Sequence, residues 1–108
     1  MNIAPALTPL QSHYIALDGM PDRRFLRENL RLIKAGNTDL HIDLSRLPRL
    51  NAAGLGILLK LQRAAVKRGI ELRLADVSES VSMFLELTRA NDVFTLSDAR
   101  ERTLPQAA

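Results

Sequence analysis

The sequence predicts one α/β domain, a mixed central sheet of about four to five strands with helices packed mainly on one face. Two stretches, Leu40-His41-Ile42-Asp43-Leu44 and Ile70-Glu71-Leu72-Arg73-Leu74, alternate apolar and polar residues with the period of two expected of strands covered on one side. Around them lie segments whose apolar residues recur every three or four positions. Strand and helix signals therefore take turns along the chain, the order that gives parallel pairs joined by right-handed crossovers. His41, Asp43, Glu71 and Arg73 interrupt the apolar runs expected of a sheet buried on both faces, so the second face should stay partly open.

Taken in order, residues 1–10 contain Pro5 and Pro9 and no clear period, which reads as an extended lead-in with room for a short edge strand. Ser12 to Leu17 is the first strand, broken by Asp18-Gly19-Met20-Pro21. Asp22 can cap a helix running to about Ala35, with Leu26, Leu30 and Ile33 on one face and Arg23, Arg27, Arg31 and Lys34 beside it; Gly36 ends it. The Leu40–Leu44 strand and a short loop with Pro48 follow. The next helix stops at Gly69, with apolar residues at Leu55, Leu58, Leu59, Leu61, Ala65 and Val66. After the strand at 70–74, Ser78 caps a third helix with Val81, Phe84, Leu85 and Thr88 inward, Leu87 at the margin and Met83 further round. It ends near Asn91. Val93 to Leu96 suits a last short strand, and residues 97–108 read as a weak tail in which Ser97 caps one turn. The domain thus spans 1–108.

The stretch Leu50-Asn51-Ala52-Ala53-Gly54-Leu55-Gly56 joins the central strand to the best-patterned helix. Asn51 is its expected N-cap, accepting a bond from an orphan amide of the first turn. Ala52, Ala53 and Gly54 have no bulk with which to cover those amides, so the surface there should be largely backbone.

Composition excludes several functions. A chain of 108 residues, 46% apolar and 25% charged, suits one ordinary core. The absence of cysteine removes disulfides, a thiol nucleophile and cysteine-based metal sites. With no signal-like apolar segment after Met1, the cytoplasm is the expected compartment. The net charge of +3 could suggest nucleic acid or an anionic membrane, but the basic residues look dispersed over several elements, and one tyrosine, three phenylalanines and no tryptophan offer few stacking platforms. Neither nucleic-acid binding nor membrane insertion is expected.

The arrangement, with Ile42-Asp43-Leu44-Ser45, the small-residue turn, Arg68-Gly69 before a strand and Asp76-Val77-Ser78 at the third helix, resembles the STAS domain of bacterial anti-sigma factor antagonists from about Tyr14 to Leu96. The resemblance implies a protein-binding regulatory role. In that family the turn reads Asp-Ser-Ser-Gly-Leu or Asp-Thr-Ser-Gly-Leu, and the serine before the glycine is phosphorylated by a partner kinase. Here the matching residues are Asn51, Ala52, Ala53 and Gly54, so both hydroxyls and the acidic side chain are missing and the switch is expected to be lost, with Ala53 in the phosphoserine position.

Other chemistry reads weakly. His41 and Asp43 could be pictured as a base and its orienting carboxylate, but no nucleophile stands at a fixed spacing and polar residues on an open strand face are usually solvated. His13 and His41 form no paired-histidine motif, so no metal is implied. Gly54 and Gly56 lack the lysine and following hydroxyl of a phosphate loop, so no cofactor or nucleotide is implied. Lys60, Arg63 and Lys67 form a basic helix stripe, more simply a solvated face than a docking surface.

No enzyme is expected. The partner-binding set is Asn51, Ala52, Ala53, Gly54, Leu55, Gly56 and Lys60. The partner implied by the resemblance is an anti-sigma factor or kinase-like switch protein. The alternative is the ATPase subunit of an ABC-type phospholipid transport complex, which some single-domain STAS proteins bind with the same region; a weak homodimer is also compatible.

Overall fold

The computed structural model describes residues 11–36 and 38–97. Its sheet has four strands in the order β1 (Gln11–Ala16), β2 (Thr38–Asp43), β3 (Leu72–Ala75) and β4 (Thr95–Ser97). All three neighbouring pairs are parallel, with Ile15 opposite Ile42, Ile42 opposite Leu74 and Leu74 opposite Leu96. This matches the expected crossovers. The sequence implies a mixed sheet, but among the described residues it is parallel throughout; the lead-in with its expected edge strand and the tail beyond Ser97 lie outside the described residues.

The helices are α1 (Arg23–Ala35), α2 (Ala52–Arg68) and α3 (Glu79–Leu87), followed by a 3₁₀ turn over Ala90–Asp92. Each successive strand is added on the same side of the last, so right-handed crossovers place all three helices against one face. That face carries Leu40, Ile42, Leu44, Leu72 and Leu74, each at most 2% exposed, and meets Ile33, Leu58, Leu61, Ala65, Val81 and Leu85 in one cluster. The open face is polar, as the alternation required. Tyr14, 57% exposed, stacks on His41 with ring centroids 4.4 Å apart, and Arg73 pairs with Glu71 at 3.1 Å.

The N-caps expected of the three helices form, while the turn expected after Ser97 lies outside the described residues. Asp22 accepts from the Phe25 amide, Asn51 from Gly54 and Ser78 from Val81. Gly36 and Gly69 close α1 and α2 at φ of 78° and 71°, a region that L side chains avoid.

Three readings need correction. Val66 is 65% exposed, because the buried stripe of α2 centres on Leu58, Leu61 and Ala65 and Val66 lies past its edge. The third helix ends at Leu87 rather than near Asn91. The Thr88 hydroxyl is exposed and turns back to donate to the Phe84 carbonyl, and Arg89 adopts φ 63°. The last strand begins at Thr95, two residues later than its pattern suggests, because Val93 and Phe94 still bond back to Ala90 while Phe94 fills the core.

Candidate partner-binding turn

The path from β2 to α2 is fixed along its length. Asp43 Oδ1 accepts from the Ser45 amide at 2.9 Å, and the Leu47 amide donates to the Leu44 carbonyl at 3.0 Å. Leu44, Leu47 and Leu50 are buried, and the Ser78 hydroxyl donates to the Leu47 carbonyl at 3.3 Å, tying the loop to the start of α3. An Arg46–Asp18 ion pair at 3.0 Å links it to the loop after β1, but both side chains are more than 70% exposed and such pairs contribute little. The loop therefore holds the N-terminus of α2 at the carboxyl ends of the strands, the edge at which open α/β sheets present their sites.

At that edge Asn51 is extended, with φ −109° and ψ 177°. Its side chain caps the Gly54 amide at 2.8 Å while its carbonyl takes the Leu55 amide at 2.9 Å. Asn51, Ala52 and Ala53 are exposed, as the sequence implies. Gly54 and Leu55 are not, so within the expected binding set their part is to position the turn. A β-carbon on Gly54 would lie 2.6 Å from Met20 Sδ, 3.0 Å from Leu50 Cδ1 and 3.2 Å from Pro21 Cδ. Glycine is favoured there because the side chains of Met20 and Pro21 in the loop after β1, with Leu50, pack close onto the helix backbone and would have to give way to a β-carbon. Sequence reasoning read Gly54 as exposing amides and missed this contact, since nothing in the local pattern announces that Met20 and Pro21 cross over it.

Gly56 faces open space. Lys60 is exposed and lies seven residues beyond Ala53, close to two full turns, so the two share one outer stripe roughly 10 Å apart along the axis with Gly56 near it. The accessible set is thus a narrow band of Asn51, Ala52, Ala53, Gly56 and Lys60. It contains two methyl groups, first-turn amides at the positive end of the helix dipole, and a single cation.

His41 and Asp43 lie elsewhere, on the open sheet face. The His41 ring stacks on Tyr14 and the Asp43 carboxylate holds the Ser45 amide, so both have structural tasks. Among the described residues no three His, Cys, Asp or Glu side chains are grouped as metal ligands.

Two comparisons bear on this geometry. Residues 14–97 match the family described as "Mlab, STAS domain". The fold is similar to the crystal structure of a "putative anti-sigma factor antagonist" from Thermotoga maritima, at a TM-score of 0.71 and 13% identity over 88% of this chain and 86% of that one.

Proposed function

The chain belongs to the STAS domain family, and on that premise we propose that it is a non-enzymatic protein-binding module, similar to an anti-sigma factor antagonist, that engages its partner constitutively through the turn at 51–56 and the first turns of α2. The observation that carries this reading is the exposure of Ala52 and Ala53 on a rigidly held helix N-terminus with no hydroxyl to modify. A phosphoserine at position 53 would bring about −1.5 to −2 charges and three acceptor oxygens. The helix dipole tolerates such a group within the domain, but burial against an apolar partner would strip its water without compensation. An alanine keeps the contact permanently open. Control then falls to the abundance of this protein or to its partner.

The partner on this reading is an anti-sigma factor or a kinase-like switch protein. The missing hydroxyls favour a second reading, in which the same surface binds the ATPase subunit of an ABC-type phospholipid transport complex, since a standing assembly needs no switch. Capture of partners from the native cell on the full chain separates the two. Recovery of a sigma-regulatory protein supports the first and recovery of an ATPase the second, while an Ala53→Asp bait that retains the same partner contradicts both.

A further inference from the structure

The charge of this protein is segregated in a way that its net value hides. The two helices α1 and α2 carry nine lysines and arginines against one carboxylate, Glu28, a formal +8. The whole chain is only +3, so everything else sums to −5. Glu28 is taken up by Arg24 at 3.1 Å. Although these basic residues look dispersed in the sequence, the fold lays α1 and α2 side by side, and the Arg68 guanidinium donates to the Lys34 carbonyl to lock their C-terminal ends together. Between them runs a groove of about 390 Å³ with Leu30, Ile33 and Ala64 as its floor and Lys34, Lys67 and Arg68 at its rim. Arg27 and Arg31 on α1 and Lys60, Arg63 and Lys67 on α2 are exposed, and helical phase turns them away from the sheet. None makes an ion pair with a carboxylate among the described residues.

We propose that the outer face of α1 and α2 is a docking surface for an anionic lipid bilayer. Charge complementarity supports it, since clustered cations on an amphipathic helical surface are drawn to acidic headgroups. The arrangement also favours headgroups over other polyanions. Phe25, the single aromatic of the two helices, is half-buried against the core, so the face offers no stacking platform for bases. The cations stand on two ridges on long, unpaired stems, which a rigid set of partner carboxylates must match one by one. Laterally mobile headgroups meet them wherever they reach. Attachment is at the surface, because no described helix is long and apolar enough to cross a membrane. Lys60 lies where this face meets the stripe that contains Ala53, so a docked domain would present the turn at the rim of the membrane contact.

Flotation of the full chain with phosphatidylcholine vesicles, with and without 30% phosphatidylglycerol, tests this at low and high salt. The expected result is association with the acidic vesicles only, lost at high salt. The triple variant Arg27→Glu, Arg31→Glu, Lys67→Glu should weaken association by about a hundredfold, since each cation at such a surface contributes roughly fivefold. A control of equal charge change, Arg46→Glu, Arg49→Glu, Arg89→Glu, should weaken it far less. Matched melting temperatures exclude misfolding. Failure to float with acidic vesicles, or an equal loss in both triple variants, overturns the proposal. So does binding of polyglutamate or a random oligonucleotide without vesicle association, which would assign the face to acidic protein or nucleic acid.

Discussion

A β-carbon on Gly54 would stand 2.6 Å from the sulfur of Met20, so the loop after β1 rests on the backbone of α2 at its first turn. The contact ties the presentation of Ala52 and Ala53 to a segment more than thirty positions earlier in the chain. Gly54→Ala should destabilise the domain by about 1–3 kcal/mol, since Met20, Leu50 and Pro21 must all shift. Gly56→Ala, which meets nothing within 4 Å, should be neutral or stabilising by up to about 1 kcal/mol from helix propensity. Urea melts of both variants decide it, and the same sign of effect for both would contradict the distinction.

Leu58 is fully buried at the centre of the α2 stripe, while Lys60 is exposed two positions later. Leu58→Ala should leave a cavity and cost about 2–5 kcal/mol, a large part of the roughly 5–15 kcal/mol typical of a domain. Lys60→Ala should cost less than about 0.5 kcal/mol. Equal midpoints in denaturant would mean that the helix is differently phased.

No phosphate should enter the turn from an anti-sigma kinase and labelled ATP, because positions 52 and 53 carry methyl groups. Ser78 should stay unmodified as well, since its hydroxyl caps the Val81 amide at 3.2 Å and donates to the Leu47 carbonyl. Ala53→Ser should restore a substrate at the turn. Peptide mapping that placed phosphate on Ser45 or Ser78 of the wild type would sink the account of a domain without a phosphoswitch.

The sequence was most legible where one local rule acted alone. Asp22, Asn51 and Ser78 each cap the helix that their side chains announce, and Gly36 and Gly69 end theirs, because caps depend on a few adjacent residues. The alternation at Leu40, Ile42 and Leu44 placed the core face of β2 without any tertiary information. What escaped depends on packing between distant elements. Val66 fits the helical period but lies outside the width of the contact. Asn29 is polar yet only 4% exposed, its amide nitrogen turned back to the Phe25 carbonyl. The pairing of Met20 with Gly54 and the merging of two basic flanks into one face arise only when the chain is folded. Of the partner-binding set, the exposure of Asn51, Ala52, Ala53 and Lys60 and the place of Leu55 in the apolar stripe could be read from the sequence, while the burial of Gly54 could not.

The central claim is that Ala53 lies at the heart of a partner interface that a negative charge would close. Titration calorimetry of wild type, Ala53→Asp and Ala53→Ser against the partner recovered from the native cell tests it most directly. A carboxylate at the first turn suits the helix dipole by roughly 0.3–1 kcal/mol, so Ala53→Asp should fold with an unchanged melting temperature. Buried against a partner without a compensating cation, the same charge should weaken binding by at least about a hundredfold, near 2.7 kcal/mol, while Ala53→Ser binds almost normally. Equal affinity of wild type and Ala53→Asp would contradict the account and move the interface away from the turn, to the stripe of Lys60, Arg63 and Lys67.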